Sequence, residues 1–274
     1  MYGIKYTKPT VVLLQDTGIG VAETAARTCY DSFANSENSV VQELENKLPD
    51  SQMCEALNEI EESHLLDDLA WTYFHHSILE HANLSYLIRG TSRGVLQEHA
   101  RHRIQAISVR STRYTMSSLI NAFVAAKKAN NKEFFIQKVL SFDMFVTSDE
   151  AYNRIEIGGM YDKLDYQFQA VEDFYSLAVA KSSLPFLDEF TDDAEALYEA
   201  LQSGKKKRNV GDAFKHIITD NVKVDMVVTF NLRSLKNYLT LRDSGAAYFQ
   251  IRWLAKEMMR VTPKKYLDLI VKKK

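Results

Sequence analysis

The chain has little with which to cross-link itself, turn tightly or adhere by charge. Its 274 residues include only two cysteines, Cys29 and Cys54. Two thiols make neither a disulfide framework nor a four-ligand zinc site, and such sparse usage points to a reducing compartment. Glycine and proline are scarce, at 10 and 4 residues, so long continuous elements should outnumber tight turns. The net charge of -2 offers no global basic field for nucleic acid, and any anion site must be built locally. No apolar run approaches the ~20 residues that a membrane span needs. Near the start, the apolar stretch Val11 to Leu14 is too short for a signal peptide. A soluble cytoplasmic protein is therefore expected. A full Gly-x-Gly-x-x-Gly fingerprint and a Walker-type loop are also missing. Gly18-Ile19-Gly20 follows a strand pattern but lacks the third glycine.

What is present fits an ordinary globular composition, with 46% hydrophobic and 26% charged residues, which excludes a disordered or collagenous chain. There is no internal repeat and no Pro/Gly/Ser-rich linker. One domain over 1–274 is expected, with 120–210 as its most irregular or inserted part.

Hydrophobic spacing predicts a mixture of elements. Val11 to Leu14, Asn83 to Arg89 and Val222 to Phe230 read as strands. Residues 20–33 read as a helix with Val21, Ala25 and Thr28 on one face. Residues 53–74 read as a second, carrying Met53, Leu57, Ile60, Leu65 and Leu69. Ser92 is placed to cap a helix running toward residue 103, with Val95, Leu96 and Ala100 on its apolar side. Residues 119–140 and 165–182 are helical in composition, and Asn231 to Met259 reads as one long helix. The run Lys205 to Arg208 reads as a solvated loop or helix end, with a targeting signal as the alternative. The fold class is α+β.

The chemistry concentrates in one window. Of 13 arginines, Arg89, Arg93, Arg101, Arg103, Arg110 and Arg113 fall within 25 residues that contain no lysine and one acid, Glu98. Guanidinium presents a planar fork that matches phosphate, whereas Lys is a point charge. Crowded like charges point to an anion partner, most simply phosphate; the alternative is a solvated basic face. On a helix Arg101 and Arg103 would lie about 200° apart. The chain is therefore expected to leave the helix near residue 103 and loop through IQAISVRSTRY.

Arg101-His102-Arg103, then seven residues, then Ser111, is a pattern expected by chance in about one chain of this length per thousand. It resembles the signature of the flavin-dependent thymidylate synthases. The flanking blocks are similar too, and in the same order: Ala25 to Tyr30 (AARTCY), His75-x-Ser77-x-x-Glu80-His81, Ser92-Arg93, and Asn231-x-Arg233-Ser234-Leu235-x-Asn237-x-x-x-Leu241-Arg242. Together they span residues 25 to 242.

The resemblance implies a central β-sheet flanked by long helices. It also implies the reductive methylation of dUMP to dTMP, with 5,10-methylenetetrahydrofolate as carbon donor and NADPH as hydride source through FAD. The family uses no cysteine nucleophile and forms homotetramers with shared active sites. By position, Arg101, His102 and Arg103 match flavin-binding residues, as do Ser77, Glu80, Asn231, Asn237 and Leu241. His75 matches a histidine over the isoalloxazine ring. Ser111, Thr112 and Arg113 match the loop that cradles the nucleotide phosphate, and Arg242 the arginine at the uracil ring. Arg242 and Ser111 are the catalytic candidates, and Glu98 and Lys215 join the dUMP side. This chain departs from the common pattern at Glu98 (usually Gln), Ser108 and Val109 (often Asn and Glu), Lys215 (often Arg) and Cys29 (Ser in some members).

Other readings of the same residues remain. A nucleophilic Ser111 would need an adjacent base held by a third group. His76 and Glu80 stand at i, i+4 and, with His75 and His81, have metal-ligand spacing. His102 stands between two arginines, which disfavours its cation, so it is expected neutral and hydrogen-bonded. A carboxylate at Glu98 beside a phosphate is unfavourable unless an arginine bridges them. An arginine-rich nucleic-acid-binding module and a different nucleotide-binding flavoprotein are the competing functions.

Overall fold

The computed structural model describes residues 9–115, 125, 129, 220 and 222–271. The expected helix at 165–182, nearly all of that at 119–140, the run Lys205 to Arg208 and Lys215 lie outside them. The chain forms two compact units. One takes Met1–Lys8, Gly90–Leu96 and Val109–Asp225; the other takes Pro9–Arg89, Gln97–Ser108 and Met226–Lys274.

Among the described residues the strands are β1 (Thr10–Asp16), β2 (Asn83–Ser92), β3 (Ala106–Val109) and β4 (Lys223–Asn231). The helices are α1 (Gly20–Tyr30), α2 (Ser39–Glu43), α3 (Ser51–Asn58), α4 (His64–Trp71), α5 (Arg93–His99), α6 (Leu232–Arg242), α7 (Phe249–Val261) and α8 (Lys264–Ile270). A 3-10 turn, His76–His81, precedes β2. This is the α+β mixture that the sequence predicts, and the sheet is four-stranded in the order β1-β2-β4-β3. No described helix is long and apolar enough to cross a membrane.

In the second unit β1 and β2 pair antiparallel, from Thr10 opposite Arg89 to Asp16 opposite Leu84. The register shifts between Leu13 and Gln15, a bulge that leaves Leu14 exposed. Period-2 alternation in β2 buries Leu84, Tyr86 and Ile88, and β4 buries Met226, Val228 and Phe230 likewise. Against this core lie Leu235 and Tyr238 of α6, Ile251 and Leu254 of α7, and Tyr266 of α8. The Thr262 hydroxyl donates to the Met258 carbonyl (2.7 Å) and so accepts from the Tyr86 hydroxyl (2.8 Å), fastening β2 to the α7–α8 junction.

Several elements differ from expectation for local reasons. Helix α1 buries Ala22, Glu23 and Ala26, while Val21 and Thr28 are exposed. The buried Glu23 carboxylate accepts from Ser36 Oγ (2.5 Å) and Asn38 Nδ2 (2.7 Å), with Arg27 at 3.5 Å. That compensation lets a charged residue take a core position. The 53–74 pattern divides into α3, capped at its start by Asp50, and α4, because Ser63 caps a second helix start within it. Leu66 rather than Leu65 takes the fully buried place on α4. The expected helix from Asn231 breaks after Arg242 into α6 and α7, across a turn containing Gly245. Ser92 does cap α5, accepting from Val95 N at 3.3 Å. That helix ends at His99, short of 103; Val95 is buried but Ala100 is exposed, and Ala106–Val109 is a strand where a loop is expected.

The Gly18-Ile19-Gly20 segment is a packing device. Gly18 has φ +71, and a Cβ on Gly20 would lie 2.3 Å from the Leu57 carbonyl oxygen. The start of α1 rests directly on the end of α3.

In the first unit the backbone is laced around Asp225. Gly90 N donates to its carboxylate (2.9 Å) and Arg110 N to its carbonyl (2.8 Å). Ser111 opens a helical turn, its carbonyl accepting from Thr115 N at 3.1 Å and Thr115 Oγ1 at 2.8 Å.

Candidate active site

A cavity of about 1030 Å³ opens along one face of α6, wholly within the second unit. Helical spacing brings Arg233, Lys236, Asn237, Thr240 and Leu241 to that face, with Arg242 at its end. The opposing wall is the turn after α5, with Arg101, His102, Arg103 and Ile104; the 3-10 turn adds His76 and Glu80.

Arg242 is held from two sides. Its Nη1 donates to Glu98 Oε2 (2.5 Å), its Nη2 to the Glu98 carbonyl (3.0 Å), and its Nε to His102 Nε2 (2.9 Å). Accepting from Arg242 requires a bare Nε2, so His102 is neutral with its proton on Nδ1. Burial first, and the Arg242 charge second, lower the His102 pKa. This agrees with the neutral, hydrogen-bonded histidine expected from its arginine neighbours. The Glu98 carboxylate has the arginine partner that its position demands.

Behind this pair lies an aromatic layer. The His102 ring meets Tyr238 edge-on at 4.7 Å between centroids, and His99 meets the same ring at 5.1 Å. His99 Nδ1 is 3.2 Å from the Tyr238 hydroxyl. His99 is fully buried, and its pKa falls to about 4, chiefly through burial and then through His102.

The rim is cationic. Arg101 and Arg103 are exposed and have no hydrogen-bond or ion-pair partner among the described residues. Arg233 is paired with Glu80 at 2.5 Å.

The structure thus gathers Glu80, Arg101, His102, Arg103, Asn237, Leu241 and Arg242 at one cavity, with Glu98 joined through Arg242. Other predicted positions stand elsewhere. His75 and Ser77 are exposed outside the lining, and His75 Nδ1 is 3.3 Å from the Tyr30 hydroxyl. Asn231 caps α6, its Oδ1 accepting from Ser234 N at 2.8 Å. Ser111, Thr112 and Arg113 belong to the first unit. Among the described residues no group of three His, Cys, Asp or Glu is arranged for a metal ion. Lys236, Ile104 and Thr240 were not singled out by the sequence; the signal was their i+3 and i+7 spacing from Arg233 and their place after the Arg-His-Arg run.

Comparison with known proteins bears on this arrangement. The sequence model of the family described as thymidylate synthase complementing protein matches residues 12–266. The flavin-dependent thymidylate synthase of Wolinella succinogenes is 27% identical over 257 residues, 94% of this chain and 95% of that protein. Its counterpart in Campylobacter jejuni is 26% identical, covering 93% of each chain. Thymidylate synthase X from Helicobacter pylori, solved with FAD and dUMP, has a TM-score of 0.61 at 25% identity, covering 96% of this chain and 97% of that one. From the matched residues, the fold and the full-length relatives together, the chain belongs to the flavin-dependent thymidylate synthase family.

Proposed function

We propose that this protein converts dUMP to dTMP, taking the carbon from 5,10-methylenetetrahydrofolate and the hydride from NADPH by way of FAD. The observation that carries the reading is the anchoring of Arg242. Arginine has five N–H donors, and the bonds to Glu98 and His102 use three. Two N–H groups, one on each terminal nitrogen, remain for a ligand in the cavity. They suit the carbonyl of a uracil ring, where added hydrogen bonding stabilises negative charge as ring electron density shifts.

The residues present fit a flavin dinucleotide. The cavity is large enough, two guanidinium groups without a partner among the described residues stand at its rim, and the Asn237 amide lies beside the apolar Leu241. Arg101, His102, Arg103, Asn237 and Leu241 would hold FAD, with His75, Ser77, Glu80 and Asn231 contributing. FAD, when bound, supplies the hydride that the transferred carbon needs to become a methyl group. Ser111, Thr112, Arg113 and Lys215 would hold the dUMP phosphate. Ser111 is a phosphate ligand in this reading. The protein's share of the catalysis is orientation and fixed charge. The reading includes one catalytic domain, a homotetramer with shared sites and a cytoplasmic location.

The test is an absorbance spectrum of purified protein mixed with FAD and desalted, then given NADPH without oxygen, with and without dUMP. Flavin peaks that survive desalting and bleach faster with dUMP are expected. Loss of all flavin on desalting, with no bleaching, overturns the reading.

A further inference from the structure

Lys236 sits among groups that do not neutralise it. Its ammonium nitrogen lies 3.9 Å from the centre of the Trp71 ring and 3.0 Å from His76 Nε2. The Trp71 indole N–H is committed to the Asp268 carbonyl at 2.8 Å, which fixes the ring beneath the amine. The neighbouring cations of α6 differ. Arg233 has Glu80 and Arg242 has Glu98, each at 2.5 Å. Lys236 has no carboxylate among the described residues. It is half-buried in the cavity wall, and burial lowers its pKa. An aromatic face and an imidazole nitrogen hold a cation in place without cancelling its charge as a carboxylate would.

The imidazole itself has a second option. His76 Nε2 is also 3.0 Å from the Ala70 carbonyl oxygen. One nitrogen cannot accept from Lys236 and donate to Ala70 at once. If the ammonium turns to a ligand, His76 can take up the bond to Ala70, so releasing Lys236 strands no polar group.

We propose that Lys236 is an anion-binding residue of the cavity and receives a phosphoryl oxygen of a bound nucleotide. This rests on the reading that the cavity takes FAD and dUMP, both of which carry phosphoryl groups. Lys236 precedes Arg242 by six residues, about 9 Å along the helix axis. The two positions are far enough apart along the wall for Arg242 to face a ring carbonyl while Lys236 faces a separate negative charge. A flexible ammonium serves phosphate as a point charge.

The experiment compares wild type with Lys236→Met, which keeps an unbranched stem over Trp71, and with Lys236→Arg. Dissociation constants are measured for riboflavin, FMN, FAD, dUMP and inorganic pyrophosphate, and melting temperature reports folding. Lys236→Met should weaken at least one phosphorylated ligand about tenfold or more, leave riboflavin unchanged, and be largely rescued by Lys236→Arg. Weakening of FMN and FAD assigns the contact to the flavin's phosphate; weakening of dUMP alone assigns it to the substrate's. Equal weakening of riboflavin, or no change for any ligand, overturns the proposal. Should Lys236→Met melt early, Lys236→Gln is titrated in its place and judged alike. A wild type that holds neither flavin nor dUMP defeats the proposed function instead. Pyrophosphate then decides for Lys236, and the absence of binding that depends on the ammonium overturns this assignment too.

Discussion

At His99 burial holds an imidazole neutral. Its pKa in the fold is about 4 against 6.5 for the free group. Between those values the unfolded chain binds a proton that the folded chain does not. Stability is therefore complete above pH 6.5 and falls as the pH drops toward 4, by on the order of 3 kcal/mol. His102 pushes in the same direction. Replacing His99 by Leu should flatten this dependence, so urea midpoints at pH 7 and pH 5 should converge. An undiminished slope would place the acid sensitivity elsewhere. Arg242→Ala should lower dTMP formation about 100-fold or more, since it removes the two N–H groups proposed for the ligand and strands Glu98. Activity within a factor of two of wild type would sink the proposed role. Arg101, His102 and Arg103 were legible in the sequence because scarce, chemically particular residue types recur there at fixed spacing; Arg242 was legible only through the family resemblance. Lys236 was not, because a lysine on a helix flank looks solvated until Trp71, distant in sequence, is found beneath it.

Elements were legible where the pattern was dense. β2 and β4 alternate buried and half-exposed residues along most of their length. The helix break was harder to see, since apolar residues continue through 53–74 and only a shift of their phase after Ile60, with the cap at Ser63, marks where α4 begins. The buried face of α1 is hidden from the sequence for another reason. A carboxylate belongs outside by type, and only Ser36, Asn38 and Arg27 make Glu23 an inside residue. Between elements, the bond from the Tyr86 hydroxyl to Thr262 is one polar tie of the sheet to the α7–α8 region, beside that from the Tyr266 hydroxyl to Asp16. Thr262→Val keeps the shape and removes the acceptor. It should cost about 1–3 kcal/mol, read as a lowered urea midpoint with flavin binding retained by the folded protein. A midpoint within error of wild type would show that the tie contributes nothing net.

For the molecule as a whole, no composition shift marks the division into two units, because each is assembled from separated stretches. Chain order is a poor guide when a strand such as β2 begins in one unit and ends in the other. The cavity was legible only as a set of residue types; its walls come from α6, the turn after α5 and the 3-10 turn, which folding alone brings together. The seat of α1 on α3 is one place where stability is exposed. Gly20→Ala would drive a methyl group into the Leu57 carbonyl and should cost about 1–3 kcal/mol, seen as a melting temperature lower by several degrees. An unchanged melting temperature would mean that the helices part without penalty.

That seat has a genetic consequence. Gly20 is absent from the cavity lining. A change at Gly20 would therefore act through heat rather than through chemistry. A cell whose only thymidylate synthase carried Gly20→Ala should grow without added thymidine when cool and require it when warm, a conditional allele reversed by lowering the temperature.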